Sequence, residues 1–174
     1  MRLFDVFKKK EYHELNTIEK VVDNRTETHR KQYFYNENND YLCVENIEDE
    51  IKFVEENGMV IPTELKTFFT NQGFGFIAKN EENSNFQRLL SPKEMFDFKN
   101  RVDIYSYLEL NEYYKQVEEK GLIFMEYCEE TYIWIGINEK NLGEIYYFDE
   151  KIADSFNEFI EKLHNNIDFS KKNS

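Results

Sequence analysis

Glu161 and His164 stand three residues apart in the last strongly periodic segment, which is half of the Glu-x-x-His pattern with which helical bundles hold a pair of metal ions. The other half is missing, and the remaining histidines, His13 and His29, share no ligand spacing with each other or with a cysteine. A lone carboxylate and imidazole on the polar side of a helix read as a solvated pair, so no metal is expected. The glycines in "NQGFGF", Gly73 and Gly75, could present backbone amides to a phosphate. A phosphate loop needs a following Lys-Ser/Thr, and a dinucleotide site needs a third glycine opening a helix. Neither follows, and these glycines read as turn formers. Adjacent carboxylates at Glu81-Glu82 and Glu129-Glu130 could move protons. In a chain with 35 acidic residues such neighbours arise by chance, and consecutive strand positions point to opposite faces. No Ser/His/Asp or Cys/His set can be assembled. The sequence therefore predicts no catalytic residue, no cofactor and no enzyme.

What the sequence offers instead is a surface. The stretch Tyr132 to Glu150, "YIWIGINEKNLGEIYYFDE", holds the single Trp among Tyr, Phe and Ile, in a chain whose formal net charge is -13. The charge is uneven: residues 1–32 hold 8 Lys/Arg against 6 Asp/Glu, while residues 33–174 hold 14 against 29. So acidic a domain repels nucleic-acid backbone and anionic lipid, and raises the encounter rate with a basic protein. Direct nucleic-acid binding and membrane association are not expected. Cys43 and Cys128 lie far apart with no paired spacing, which fits reduced thiols. "MRLFDVFKKK" is too short, and charged in the wrong order, for a secretory leader. A cytoplasmic location is the expectation.

These residues need elements to position them. With 174 residues and 40% hydrophobic content, one domain with one core is expected. Asn46 is a candidate N-cap for a helix carrying Ile47, Ile51 and Val54 and stopped by Asn57-Gly58. Pro62 suits the first turn of a second helix with Leu65, Phe68 and Phe69 on its apolar stripe, ended at Gly73. "FGFIA" and "FQRLL" read as strands on either side of the polar "NEENSN". Ser91, Pro92 and Glu94 spell a capped helix start, and "LNEYYKQVEEK" a further helix ending at Gly121. "LIFMEYC", "TYIWIGI" and "GEIYYFD" are strand formers separated by short loops, which favours an antiparallel meander. In the last segment Ile152, Phe156, Phe159, Ile160, Leu163 and Ile167 recur at helical spacing behind a Ser155/Glu158 cap, predicting a helix that packs on the sheet. Residues 1–40 read as a variable N-terminal extension with a short helix, 41–168 as the folded domain and 169–174 as a loose tail.

In their order, "IEDEIKFVEENGMVIPTELKTFFTNQGFGFI", "LLSPKEMFDF" and "TYIWIGINEKNLGEIYYFDEKIADSFNEFIEKL" resemble the SUKH superfamily, which includes the fungal Smi/Knr cell-wall regulators and many bacterial immunity proteins. The most telling parts are the Ile61-Pro62 helix start with Gly73 after it, the hairpin containing Gly136 and Gly143, and the closing "SFNEFIEKL". The resemblance implies a single α+β domain, with a central antiparallel β-sheet flanked by helices. It further implies an immunity protein that binds a cognate toxin, often a nuclease, in the cytoplasm. A regulatory protein-interaction module of the Smi/Knr type is the alternative. The family fixes no contact residues. On charge and position, Glu126, Glu129, Glu130, Glu139 and Glu144 are the candidate carboxylates that would compete for a basic toxin's substrate-binding cations, and Tyr132 and Tyr146 the candidate apolar anchors.

Overall fold

A computed structural model of the chain describes residues 32–38, 40–77, 87–107, 109, 112–128 and 131–165. The sheet opens with two short strands, β1 (Phe34–Tyr35) and β2 (Tyr41–Cys43), followed by helices α1 (Ile47–Glu56) and α2 (Thr63–Gln72). Strands β3 (Phe74–Phe76) and β4 (Arg88–Leu89) come next, then helix α3 (Pro92–Asn100), a 3-10 turn (Asp103–Tyr105) and helix α4 (Glu112–Lys120). The back half is β5 (Gly121–Cys128), β6 (Thr131–Gly136), β7 (Ile145–Tyr147), β8 (Glu150–Ala153) and α5 (Phe156–His164). The eight strands found among the described residues form one antiparallel sheet in sequence order. The chain is thus a single α+β domain.

Register decides which side chains share a face, because opposed residues in an antiparallel pair point the same way. Arg88 lies opposite Glu126 and Glu126 opposite Tyr132; Trp134 lies opposite Tyr146. Helices α3 and α4 cover this face, with Phe98 and Tyr114 packing edge-on against the Tyr132 ring at 4.9 and 5.1 Å between centroids. Helix α5 covers Phe124, which meets Phe156 and Phe159 at 5.6 and 5.7 Å, and α2 joins through Phe68 on Phe156. Phe69, Phe124, Ile133, Phe156 and Phe159 are fully buried, and Phe156→Ala would forfeit about 3–5 kcal/mol.

Local signals explain several element boundaries. The Ser91 hydroxyl accepts from the Glu94 amide while the Glu94 carboxylate accepts from the Ser91 amide, a complete capping box. At Ser155 only half of that exchange forms: its hydroxyl accepts from the Glu158 amide, but the Glu158 carboxylate takes the Asp154 amide instead. Gly73 turns α2 into β3 at φ 95°, and a Cβ there would stand 2.0 Å from the Cys43 carbonyl oxygen, so no other residue fits.

Two expectations are corrected. Asn46 does not cap α1 with its side chain; its backbone adopts φ 60°, a left-handed turn that Asn tolerates. Ile152 is not the first residue of the closing helix but part of strand β8, only 6% exposed, with α5 beginning after Ser155. Ile152, Phe156, Phe159 and Ile160 satisfy a helical period as written, but the cap at Ser155 takes precedence. The expected helix within the first thirty residues, the "NEENSN" excursion, Ile167 and the tail lie outside the described residues.

Candidate partner-binding face

Strands β6 and β7 are joined by a loop that holds itself shut. The Gly143 amide donates to the Gly136 carbonyl at 3.0 Å, the Gly136 amide to the Glu144 carbonyl at 2.9 Å, and the Asn138 amide to Asn141 Oδ1 at 3.2 Å. This fixed loop displays Glu139 and leaves Leu142 61% exposed. On the adjoining sheet face, the Tyr146 ring stacks on Trp134 at 4.1 Å and 8° between planes. Trp134 is itself immobilised: its Nε1 donates to the Phe148 carbonyl at 3.0 Å and to the Tyr113 hydroxyl at 3.3 Å, and the Lys120 ammonium sits 5.2 Å from its ring. Phe148 has a left-handed backbone (φ 51°) and is 41% exposed, beside Tyr113 at 5.6 Å.

The polar rim is tuned by its contacts. The Tyr146 hydroxyl donates to the Glu144 carboxylate, which also pairs with Lys151 at 3.1 Å, and Lys151 reaches Asp154 at 2.7 Å. The Tyr146 and Lys151 hydrogen bonds hold the Glu144 carboxyl below the usual carboxylate range. Partial burial, and then the Glu144 carboxylate, push the Tyr146 phenol up to about 12. At neutral pH the pair is therefore an ionised carboxylate accepting from a protonated phenol, with the Trp134 ring stacked on that phenol.

The seven sequence candidates separate. Glu144 and Tyr146 are brought into direct contact, and Glu139 is exposed on the same hairpin. Tyr132 is only 7% exposed, its ring between Phe98 and Tyr114 and its amide donating to the Tyr114 hydroxyl at 2.9 Å. Glu126 pairs with Arg88 at 2.8 Å. Glu129 and Glu130 lie outside the described residues. Phe148 and Leu142 were not singled out from sequence. Phe148 shares the alternation of Tyr146, which was the signal available; Leu142 sits in a polar loop and carries none.

Among the described residues, two polar clusters lie outside the β6–β7 hairpin. Arg88 bonds Glu126, Glu94 at 2.8 Å and the Tyr105 hydroxyl at 3.2 Å. Burial alone would lower the guanidinium pKa, but the facing Glu94 and Glu126 carboxylates outweigh it and raise it. His164 is not part of a solvated pair with Glu161 as the spacing suggested. Its Nε2 lies 2.9 and 3.1 Å from the carboxylate oxygens of Asp40, a residue only 1% exposed, tying the end of α5 to the β1–β2 hairpin. Among the described residues, no helix is long and apolar enough to cross a membrane.

Comparison with known proteins gives two findings. The model of the SMI1 / KNR4 family (SUKH-1) matches residues 45–162. The chain is 36% identical over 132 residues to "Immunity protein YxxD" of Bacillus subtilis (strain 168), covering 75% of this chain and 87% of the relative. No solved structure matches at a significant level.

Proposed function

The chain belongs to the SMI1/KNR4 family (SUKH-1), and from that membership we propose that it is an immunity protein, neutralising a cognate toxin by stoichiometric binding in the cytoplasm of the cell that carries it. The family and the relative's name both point to a non-catalytic role. The observation that carries the reading is the similarity to an immunity protein across three quarters of the chain. The hairpin face supplies a mechanism. Glu139 and Glu144 attract a basic toxin and compete for the cations with which it holds its substrate, and Tyr146, Phe148 and Leu142 give the complex its desolvated centre. A nuclease suits this mechanism, since its cleft is built to hold phosphates with Lys and Arg. Inhibition then requires no chemistry, only occupation of that cleft.

The test is co-expression. A domain from the polypeptide encoded beside this gene is produced with and without the chain, and survival is scored. The tagged chain is then used to capture that domain at low and at high salt. Rescue of growth with one-to-one capture, weakened by salt, is the expected result. Unrelieved toxicity with no capture, or capture of an endogenous protein alone, would overturn the reading in favour of a regulatory module.

A further inference from the structure

Between α3 and α4 the chain exposes three apolar side chains within six residues: Val102 at 42%, Ile104 at 40% and Tyr107 at 93%. Tyr105, in the same turn, points the other way: it is 7% exposed, accepts a hydrogen bond from Arg88 at 3.2 Å and packs on Phe98 at 5.2 Å. The loop is fastened at its start as well. Arg101 donates to the Phe98 carbonyl, reaches both Glu118 carboxylate oxygens at 3.0 Å and lies over the Phe98 ring, while the Val102 amide donates to the Asp97 carbonyl at 3.0 Å. Arg101 and Asp103 both hold a φ of 54° without being glycine. Such conformations cost free energy and persist where the surrounding structure over-determines them. Here two part-buried cation sites impose a strained turn whose outcome is to aim Ile104 and Tyr107 at solvent.

We propose that the 101–107 turn is a specificity-determining finger, whose Ile104 and Tyr107 enter an apolar recess bordered by basic residues on the toxin; this rests on the immunity reading above. Two observations select that occupant. A ring 93% exposed on a braced turn projects beyond the surface and so matches a concave site rather than a flat one. Asp103 and Glu109 flank it, both exposed, in a chain of net charge -13, so a cationic border on the recess is attracted where an anionic one is repelled. Beneath the surface, a series of ring contacts runs from Tyr105 through Phe98, Tyr132, Tyr114 and Tyr113 to Phe148, each between 4.9 and 5.6 Å, so the buried side of the turn is packed into the same core as the hairpin. The bracing lowers the ordering cost of binding, so this loop contributes through preorganisation as well as contact.

The test uses the full chain and the same toxin domain as above. Wild-type protein must first neutralise that domain; failure there sinks the immunity reading itself. With that control met, Ile104→Asp/Tyr107→Asp is compared with wild type and with Val60→Asp, which alters an apolar residue 67% exposed in the α1–α2 connection. The double variant is expected to keep wild-type thermal stability and to bind about 100-fold more weakly, mostly through faster dissociation, while the Val60 variant stays within about threefold. Double-variant affinity within threefold of wild type would overturn the proposal. So would a self-association of the purified chain that the double variant abolishes while toxin affinity is unchanged, because the finger would then serve a second copy.

Discussion

Replacing Arg88 with Met should destabilise the domain by about 3 kcal/mol, and the structure shows why the figure is not smaller. Arg88 is 18% exposed and faces Glu94 and Glu126, which are 14% and 28% exposed, at 2.8 Å each. Removing one partner of a fully buried pair costs about 3–5 kcal/mol, because a charge is left behind in low dielectric. Residual water at Glu126 reduces that cost, whereas loss of the Tyr105 hydrogen bond adds to it. For a chain of this size the melting temperature should fall by about 6–12 °C. In urea the midpoint should fall with the slope unchanged, since the exposed area of the unfolded chain is the same. A second substitution should rescue the first: adding Glu126→Gln removes one stranded charge and should return about 1 kcal/mol or more. A loss below about 1 kcal/mol, the range of surface pairs, or an absence of rescue, would refute the claim that this cluster fastens β4 and β5 to α3.

Charge reversal at the hairpin, Glu139→Lys with Glu144→Lys, should slow association with a basic toxin about tenfold or more at low salt and much less at high salt, as stopped-flow measurement would show. The Tyr146 phenol should titrate near pH 12 by phenolate absorbance difference against Tyr146→Phe. Its folded pKa lies above its unfolded value, so any stabilisation is complete below about pH 10 and is lost as pH rises through the folded value. His164→Ala should cost about 1–3 kcal/mol in urea, because the buried Asp40 carboxylate loses the imidazole Nε2 that it accepts from.

Elements with their grammar written locally were legible. The Ser91-Pro92-x-Glu94 start, the Ile47/Ile51/Val54 stripe and the β5–β6–β7 meander follow from caps, period and alternation, and each forms where the spacing puts it. Strand β8 was hidden because four residues beside a capped helix can satisfy a helical period. Tyr132 shows a further limit. Alternation placed it with Trp134 on one face but could not say that Phe98 and Tyr114 would cover it. The Arg88–Glu126 and Asp40–His164 pairs join residues 38 and 124 apart, a separation that no window of local sequence spans. The 101–107 finger was invisible for the same reason: its apolar residues have no period, and only the buried partners of Arg101 and Tyr105 show which side chains must face out.

The single Trp gives the molecule a built-in optical gauge. Trp134 is 2% exposed, has its indole N–H committed to the Phe148 carbonyl, and has the Tyr146 ring stacked on it and the Lys120 ammonium near it. Its emission should be blue-shifted by the dry setting and resistant to soluble quenchers, and no second indole dilutes the signal. Any ligand that shifts Tyr146 or Phe148 alters the indole's immediate neighbours, whereas one seated only on Tyr107 acts several rings away. Unlabelled protein thus distinguishes engagement of the hairpin from engagement of the finger by the amplitude of a fluorescence change.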